Sequence, residues 1–287
     1  MFVESRADTL AKNTLVTKLG LWASNLRDNL SIINSCKDIT ELPKISGSAL
    51  CIAAGESTGL HLDEIPKFRG SILSCERNLV QLLKKGIIPE YVVSIDGNEI
   101  MTQFIDHPLV DEYADRMTGV FATTVSPKFV DRWHGKKIFF NAWLDNIDDT
   151  KSVSLVFQEI TRKATMHTGG NCGTTLWFLA YYLKASPIVL LGLDFAYPAS
   201  IQDLSQTQIW AGIKHLTKEQ ILEYYRRETN PFGNETITDY VWEAFKDAWL
   251  SWVREMKDSE TIQCSDYTIL HQPPLKVMSF REYLSKS

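Results

Sequence analysis

Thr168-Gly169-Gly170-Asn171-Cys172-Gly173-Thr174-Thr175 runs into an apolar, helix-like segment and then into Pro187-Ile188-Val189-Leu190-Leu191-Gly192-Leu193-Asp194. A glycine-rich turn feeding a helix leaves backbone N–H groups free to face an anion, and the helix dipole adds partial positive charge there. The apolar run that follows has the pattern of a buried strand. Asp194 leaves it at the C-terminal end, pointing into the crevice where open parallel sheets bind ligands. The layout recurs upstream: Ala49-Leu50-Cys51-Ile52-Ala53-Ala54 ends in Gly55-Glu56-Ser57-Thr58-Gly59, and Tyr91-Val92-Val93-Ser94-Ile95 ends in Asp96-Gly97-Asn98. Three such strand ends predict a nucleotide-type ligand.

Short apolar runs at 49–54, 70–73, 91–95, 119–122, 137–140 and 188–191 alternate with helical segments. Strands alternating with helices imply parallel pairing through crossovers. The expected class is α/β, a Rossmann-like, mainly parallel sheet with helices on both faces. Residues 1–45 read as a helical lead-in, because Leu10, Leu15, Leu19, Trp22, Leu26, Leu30 and Ile33 recur at roughly helical spacing. It is expected to pack beside the sheet as scaffold. The nucleotide-binding core is placed at 46–198, and 199–287 is a helical insertion or lid followed by a last strand completing the same domain. Within that region 218–227 and 240–256 favour helix, Asn230-Pro231-Phe232-Gly233-Asn234 marks a turn, 261–265 a strand and 279–284 a short capped helix.

The 287 residues carry 44% hydrophobic side chains and a formal charge of −5, with no basic runs. One large core is affordable, and general affinity for nucleic acid or anionic membranes is not expected. Five cysteines without a C-x-x-C pair suit a reduced, cytoplasmic setting rather than a disulfide framework. Glu4, Arg6, Asp8 and Lys12 argue against a signal peptide, and no run reaches the length of a membrane span.

Gly55, Glu56 and Ser57 form the first candidate ligand loop, though an ordinary strand-to-helix turn has the same look. Asp96 suits a divalent cation or a ribose hydroxyl, Gly97 permits the turn, and Asn98 offers a neutral donor and acceptor. Capping alone is the plain alternative. Asp194 needs a partner, metal or ligand, because burying an unpaired carboxylate is costly. His167 precedes the loop Gly169, Gly170, Asn171 and Gly173 and has the ordinary pKa of a proton carrier near neutrality. Asn78 and Asn141 follow predicted strands closely, fit to read a base or sugar or to cap a helix. The other histidines lack metal-ligand spacing, Cys172 has no evident base, and Trp242, Trp249 and Trp252 recur at helical spacing as core or interface residues.

Residues 50–57 (Leu50 to Ser57), 82–96 (Leu82 to Asp96), Gly169-Gly170-Asn171-Cys172-Gly173 and 187–197 (Pro187 to Tyr197) together resemble the 6-hydroxymethylpterin diphosphokinase MptE-like family, which includes the motility-associated Maf proteins. The lead-in and the ending at Ile262-Gln263-Cys264-Ser265 and Phe280-Arg281-Glu282-Tyr283-Leu284 resemble Maf members. One departure is visible: the family's usual Gly-Pro-Ser-Leu is Gly55-Glu56-Ser57-Thr58 here, placing a carboxylate where a phosphate would approach. The Maf side of the resemblance implies a glycosyltransferase-like enzyme using a nucleotide-activated sugar of the CMP-nonulosonic acid type. There Gly55 to Ser57 and Gly169 to Gly173 hold the nucleotide, Asp96 and Asn98 fix ribose or donor, and His167 or Asp194 is the base. The diphosphokinase side implies ATP with Mg2+, held by Asp96 and Asp194, acting on 6-hydroxymethyl-dihydropterin. A non-catalytic nucleotide-sugar binding protein is the third reading. No cofactor is implied outside the diphosphokinase reading. The implied partners are a nucleotide or nucleotide-sugar and an acceptor on a protein Ser/Thr or a glycan, with homo-oligomer formation left open.

Overall fold

The computed structural model describes residues 6–146, 148–200 and 204–287. Glu4 and part of the predicted insertion, 201–203, lie outside these. The strands in chain order are β1 (Lys37–Asp38), β2 (Ala49–Ile52), β3 (Ser71–Cys75), β4 (Tyr91–Ser94), β5 (Thr118–Ala122), β6 (Lys136–Ala142), β7 (Thr165–Met166), β8 (Ile188–Leu191), β9 (Tyr197–Pro198), β10 (Tyr225–Thr229), β11 (Glu235–Asp239), β12 (Thr261–Gln263) and β13 (Lys276–Val277). The main sheet runs β1-β6-β5-β4-β3-β2-β8-β12-β13, with β7 also on β6, and its pairings are parallel. The class expected from the sequence, Rossmann-like α/β, is the one found.

Every residue of β2, β4 and β8 is buried, as continuous apolar strands require when helices cover both faces. The Cys172–Tyr182 helix is one cover, and Gly173 to Ala180 are all buried within it. Gly173 lets it lie close. A Cβ there would stand 2.7 Å from Leu193 Cδ1 and 2.9 Å from Ala53 Cβ, so no side chain fits between helix and strand end. The predicted strand 70–73 is displaced to Ser71–Cys75 because Gly70, at φ +149°, belongs to the preceding turn.

Two expectations need correction. The lead-in is a helix, Arg6–Ser35, but it docks over the C-terminal ends of β4 and β5 instead of only flanking the sheet. Buried Asn25 donates to Gly97 O and Thr124 O, both at 2.9 Å, and buried Asn29 donates to Val125 O at 2.8 Å. The insertion is also less helical than its composition suggests. Lys218–Leu222 is a helix with a capping box from Thr217 and Gln220, but the following residues form β10, paired antiparallel with β11, which pairs in turn with β9. Asn230 closes that hairpin, its Oδ1 accepting from Phe232 N at 3.1 Å and Asn234 N at 3.0 Å, with Gly233 at φ +79°. Asp239 then caps the Tyr240–Glu255 helix by accepting from Val241 N and Trp242 N. The chain ends in β12, β13 and the Phe280–Lys286 helix, capped by Ser279.

Candidate functional site

Strand order reverses between β2 and β8, and a crevice of about 690 Å³ opens at their C-terminal ends. Such a reversal point is where open α/β sheets take ligands, because adjacent loops diverge to opposite faces. Its walls are the loops after β2, β3, β4 and β8, the glycine loop 170–173, Thr14, Lys18 and Trp22 of the N-terminal helix, and Gln208 and Trp242 of the insertion.

Backbone contacts fix the floor. Gly55 N donates to Gly192 O at 2.9 Å, and Thr58 Oγ1 donates to Ala53 O at 2.7 Å. A Cβ on Gly55 would fall 2.7 Å from Asp194 Cγ, so glycine there makes room for that carboxylate. Asp194 is 2% exposed; its Oδ2 accepts from Ser57 N at 3.0 Å, while its Oδ1 is buried without a protein partner. Burial pushes its pKa up to about 6 against the opposing hydrogen bonds from Ser57.

Across the crevice, Asp96 Oδ1 accepts from Asn98 N at 2.8 Å and Asn98 Nδ2 at 2.6 Å, a local Asx turn after β4. In the glycine loop, Gly169 and Gly170 have φ of +63° and +86°, conformations that favour glycine. Gly170 also lies against the Phe245 ring. Asn171 Oδ1 caps the helix by accepting from Thr174 N at 3.0 Å, whereas its Nδ2 is a buried donor without a protein partner.

Of the residues singled out by sequence, Gly55, Glu56, Asp96, Gly97, Asn98, Gly170, Asn171, Gly173 and Asp194 line this one crevice. Ser57, Gly169, His167, Asn78 and Asn141 do not line it. Ser57 supports Asp194 from behind, its own Oγ accepting from Tyr267 N at 2.9 Å. His167 is stacked at 3.8 Å on Trp143 and 3.9 Å from Trp252, and burial holds its pKa down at about 4. That neutral ring is packed among aromatics, an arrangement suited to packing rather than to the base role expected for it. Asn78 donates to Ala53 O and accepts from Gln81 at 2.7 Å, tying the Glu76–Lys84 helix to the end of β2. Asn141 accepts from Thr123 at 2.8 Å and donates to Thr161 Oγ1 at 2.9 Å and Lys163 O at 2.7 Å. Both asparagines spend their hydrogen bonds on the scaffold.

Glu76 is a crevice residue that sequence reasoning missed. It follows β3 directly, is 3% exposed, and accepts from the Cys172 thiol at 3.4 Å. Burial pushes its pKa up to about 7, with Asp96 adding to the rise. The only signal was an acid at a strand end, without the glycine that marked the other loops. Among the described residues, Glu56, Glu76, Asp96 and Asp194 therefore share walls with two cations, Lys18 and Arg77. Among the described residues, no three His, Cys, Asp or Glu side chains are grouped to hold a metal ion, and no helix is long and apolar enough to cross a membrane.

Residues 22–200 match the family described as 6-hydroxymethylpterin diphosphokinase MptE-like. Among solved structures, the chain is similar to the MAf glycosyltransferase from Magnetospirillum magneticum AMB-1, with a TM-score of 0.60 and 15% identity over 96% of this chain. At that identity the likeness is one of fold. The matched part is 42% of the Magnetospirillum chain, so this chain spans less than half of that protein's length. No curated protein sequence matched.

Proposed function

The chain belongs to the MptE-like family, and on that premise we propose that it is a transferase whose crevice between β2 and β8 takes a nucleotide-activated sugar. The observation that carries this reading is the pair of buried, unpartnered polar atoms at the crevice, Asp194 Oδ1 and Asn171 Nδ2. Leaving such an atom buried without a partner costs about 1–3 kcal/mol, and a ligand hydroxyl or phosphate oxygen removes that cost. Gly55 and the 170–173 loop leave space for phosphate and sugar, Asp96 and Asn98 face the ribose or the donor, and Asp194 holds a donor or acceptor hydroxyl.

Charge favours a glycosyl donor over ATP. A CMP-linked nonulosonic acid carries one phosphodiester charge and one sugar carboxylate, fewer charges than a triphosphate, and protein N–H groups suffice to stabilise its phosphate as it leaves. A triphosphate facing four carboxylates needs a divalent ion, which one or two of them, Asp96 and Asp194 in that reading, would hold together with the phosphates. The fold likeness to the MAf glycosyltransferase also covers nearly all of this chain, beyond the 22–200 span of the family match. The diphosphokinase reading keeps one observation in its favour, the family's own description.

Thermal shift separates the readings, since a ligand stabilises the folded state by mass action. CMP and CMP-N-acetylneuraminic acid are expected to raise Tm in EDTA, with ATP weaker, and CMP to be released from the sugar nucleotide. Stabilisation by ATP that EDTA abolishes, with AMP release in the presence of 6-hydroxymethyl-dihydropterin, would establish the diphosphokinase instead. Binding of CMP-sugar without turnover in the presence of hydroxyl acceptors would leave a binding protein and reject the enzyme.

A further inference from the structure

We propose that Glu76 removes the proton from the attacking hydroxyl of the acceptor. The role rests on the transferase reading above and deepens it.

Glu76 opens the Glu76–Lys84 helix at the end of β3, the strand lying between β2 and β4, and its carboxylate lies against the Cys172 thiol with Asp96 near enough to act on it. It lines the same cavity as the unpartnered Asp194 Oδ1 and Asn171 Nδ2, which mark where a ligand makes its polar contacts. The groups facing it are Cys172 from the glycine-loop helix, which also meets Cys75, Asp96 from the β4 loop and Arg77 on its own helix. Arg77 is engaged over the Phe104 ring at 4.9 Å, and Cys172 is a thiol, a weak donor. Glu56, Asp194 and Lys18 complete the charged lining. Glu76 is thus a carboxylate kept dry beside a second negative charge, its burial outweighing the hydrogen bonds from its own backbone N–H and the Cys172 thiol and the charge of Arg77. Those conditions bring a carboxyl towards the working pH of a general base, here about 7.

In the transfer step the acceptor O–H proton passes to the Glu76 carboxylate, and the oxygen's electron pair forms the bond to the anomeric carbon of the donor. The bond from that carbon to the phosphate oxygen breaks with its electron pair. The nucleotide leaves as the anion, and Glu76 then returns its proton to water.

The test uses the 287-residue chain, CMP-N-acetylneuraminic acid as donor and water or a saccharide hydroxyl as acceptor, reading CMP release against pH. The wild-type rate is expected to fall as pH drops below about 7, and Glu76→Gln to lose about 100-fold or more and the pH limb with it, CMP binding being retained. Asp96→Asn should shift the limb to lower pH, since a negative neighbour is gone. A Gln variant that matches the wild-type rate, or keeps the limb, overturns the assignment. Should Glu76→Gln fail to fold, Glu76→Asp decides: it keeps the acid but withdraws it, so an undiminished rate overturns the role and a slow variant retaining the limb supports it. A wild type that releases no CMP overturns the transferase reading itself and Glu76's role with it, an outcome distinct from an active wild type with an equally active variant.

Discussion

Asp194 combines burial, one hydrogen bond from Ser57 N and one unpartnered oxygen, so in the free protein its charge is a liability that a ligand relieves. Its folded pKa, about 6, lies above the ordinary aspartate value of about 3.9. The folded state therefore binds the proton more tightly between those values, and stability is lost as pH rises through them, by on the order of 3 kcal/mol. Asn in its place cannot ionise, can still accept from Ser57 N, and turns the unpartnered oxygen into an amide nitrogen. Asp194→Asn is thus expected to unfold at a higher temperature than wild type at about pH 7.5, to lose that advantage near pH 4, and to lose stabilisation by CMP. A variant less stable than wild type at the higher pH would mean the protein already satisfies the carboxylate. Asp194 and Asp96 were legible because a strand's end is written in a handful of adjacent residues. Glu76 occupies the equivalent place but has Cys75 before it and no glycine after it, so nothing local set it apart. The surroundings of His167 were illegible for another reason: Trp143 and Trp252 reach it from segments distant in sequence, and no local pattern records that meeting.

The N-terminal helix shows what an element's pattern tells and what it withholds. The spacing of Trp22, Leu26 and Ile33 revealed the helix, but an apolar stripe gives only the buried face, not the surface it covers. A finer signal was present. Asn25 and Asn29, four apart, lie on that stripe, and buried amides demand specific acceptors, which turn out to be carbonyls of the loops after β4 and β5. Asn25→Ala strips a donor from Gly97 O and Thr124 O and is expected to cost about 1–3 kcal/mol in denaturant unfolding. Because Gly97 lines the crevice, nucleotide affinity should weaken as well. Asn29→Ala, bonded only to Val125 O, should lower stability while leaving affinity unchanged; equal loss of affinity in both variants would show that the helix acts only through global stability. The hairpin β10 and β11 failed to show in the sequence because Tyr225-Arg226-Arg227-Glu228-Thr229 carries a helix-favouring charge pattern and is mostly exposed. Its strand conformation comes from ladder pairing with β11, a tertiary partner that outweighs local propensity.

Over the whole molecule the titrating groups divide into two sets whose pH dependences have opposite signs. Asp194, Glu76 and Asp239 have raised pKa values, burial being the main cause in each, so each loses stability as pH climbs from its unfolded to its folded value. His61 joins them from the opposite charge type. Burial pulls its pKa down, but hydrogen bonds to Asp266 at 2.5 Å and Glu64 at 2.6 Å outweigh that and leave it raised. Its stabilising charge is fully present below the unfolded value of about 6.5 and is lost as pH rises through the folded one. With it goes a bridge joining the end of the Ser57–Leu60 helix, the loop after β12 and, through the Glu64–Arg281 pair, the C-terminal helix. The second set includes Glu64 and Asp145, for which burial is outweighed by hydrogen bonds from His61 and Arg281 and from Ser152 and Ser154 respectively, leaving both pKa values lowered, and His167, whose burial holds its pKa down at about 4. They contribute above their unfolded values and fail as pH falls through the folded ones. Stability of the ligand-free protein is therefore expected to peak on the mildly acidic side, at about pH 5, and to decline towards pH 8. Unfolding measured from pH 4 to 9 at constant ionic strength checks this, with His61→Gln removing part of the decline above pH 6 and Asp194→Asn part of that below it. An optimum above pH 7 would show that the buried carboxylates of the crevice are already neutralised by the fold, and with that the argument that they await a ligand would fail.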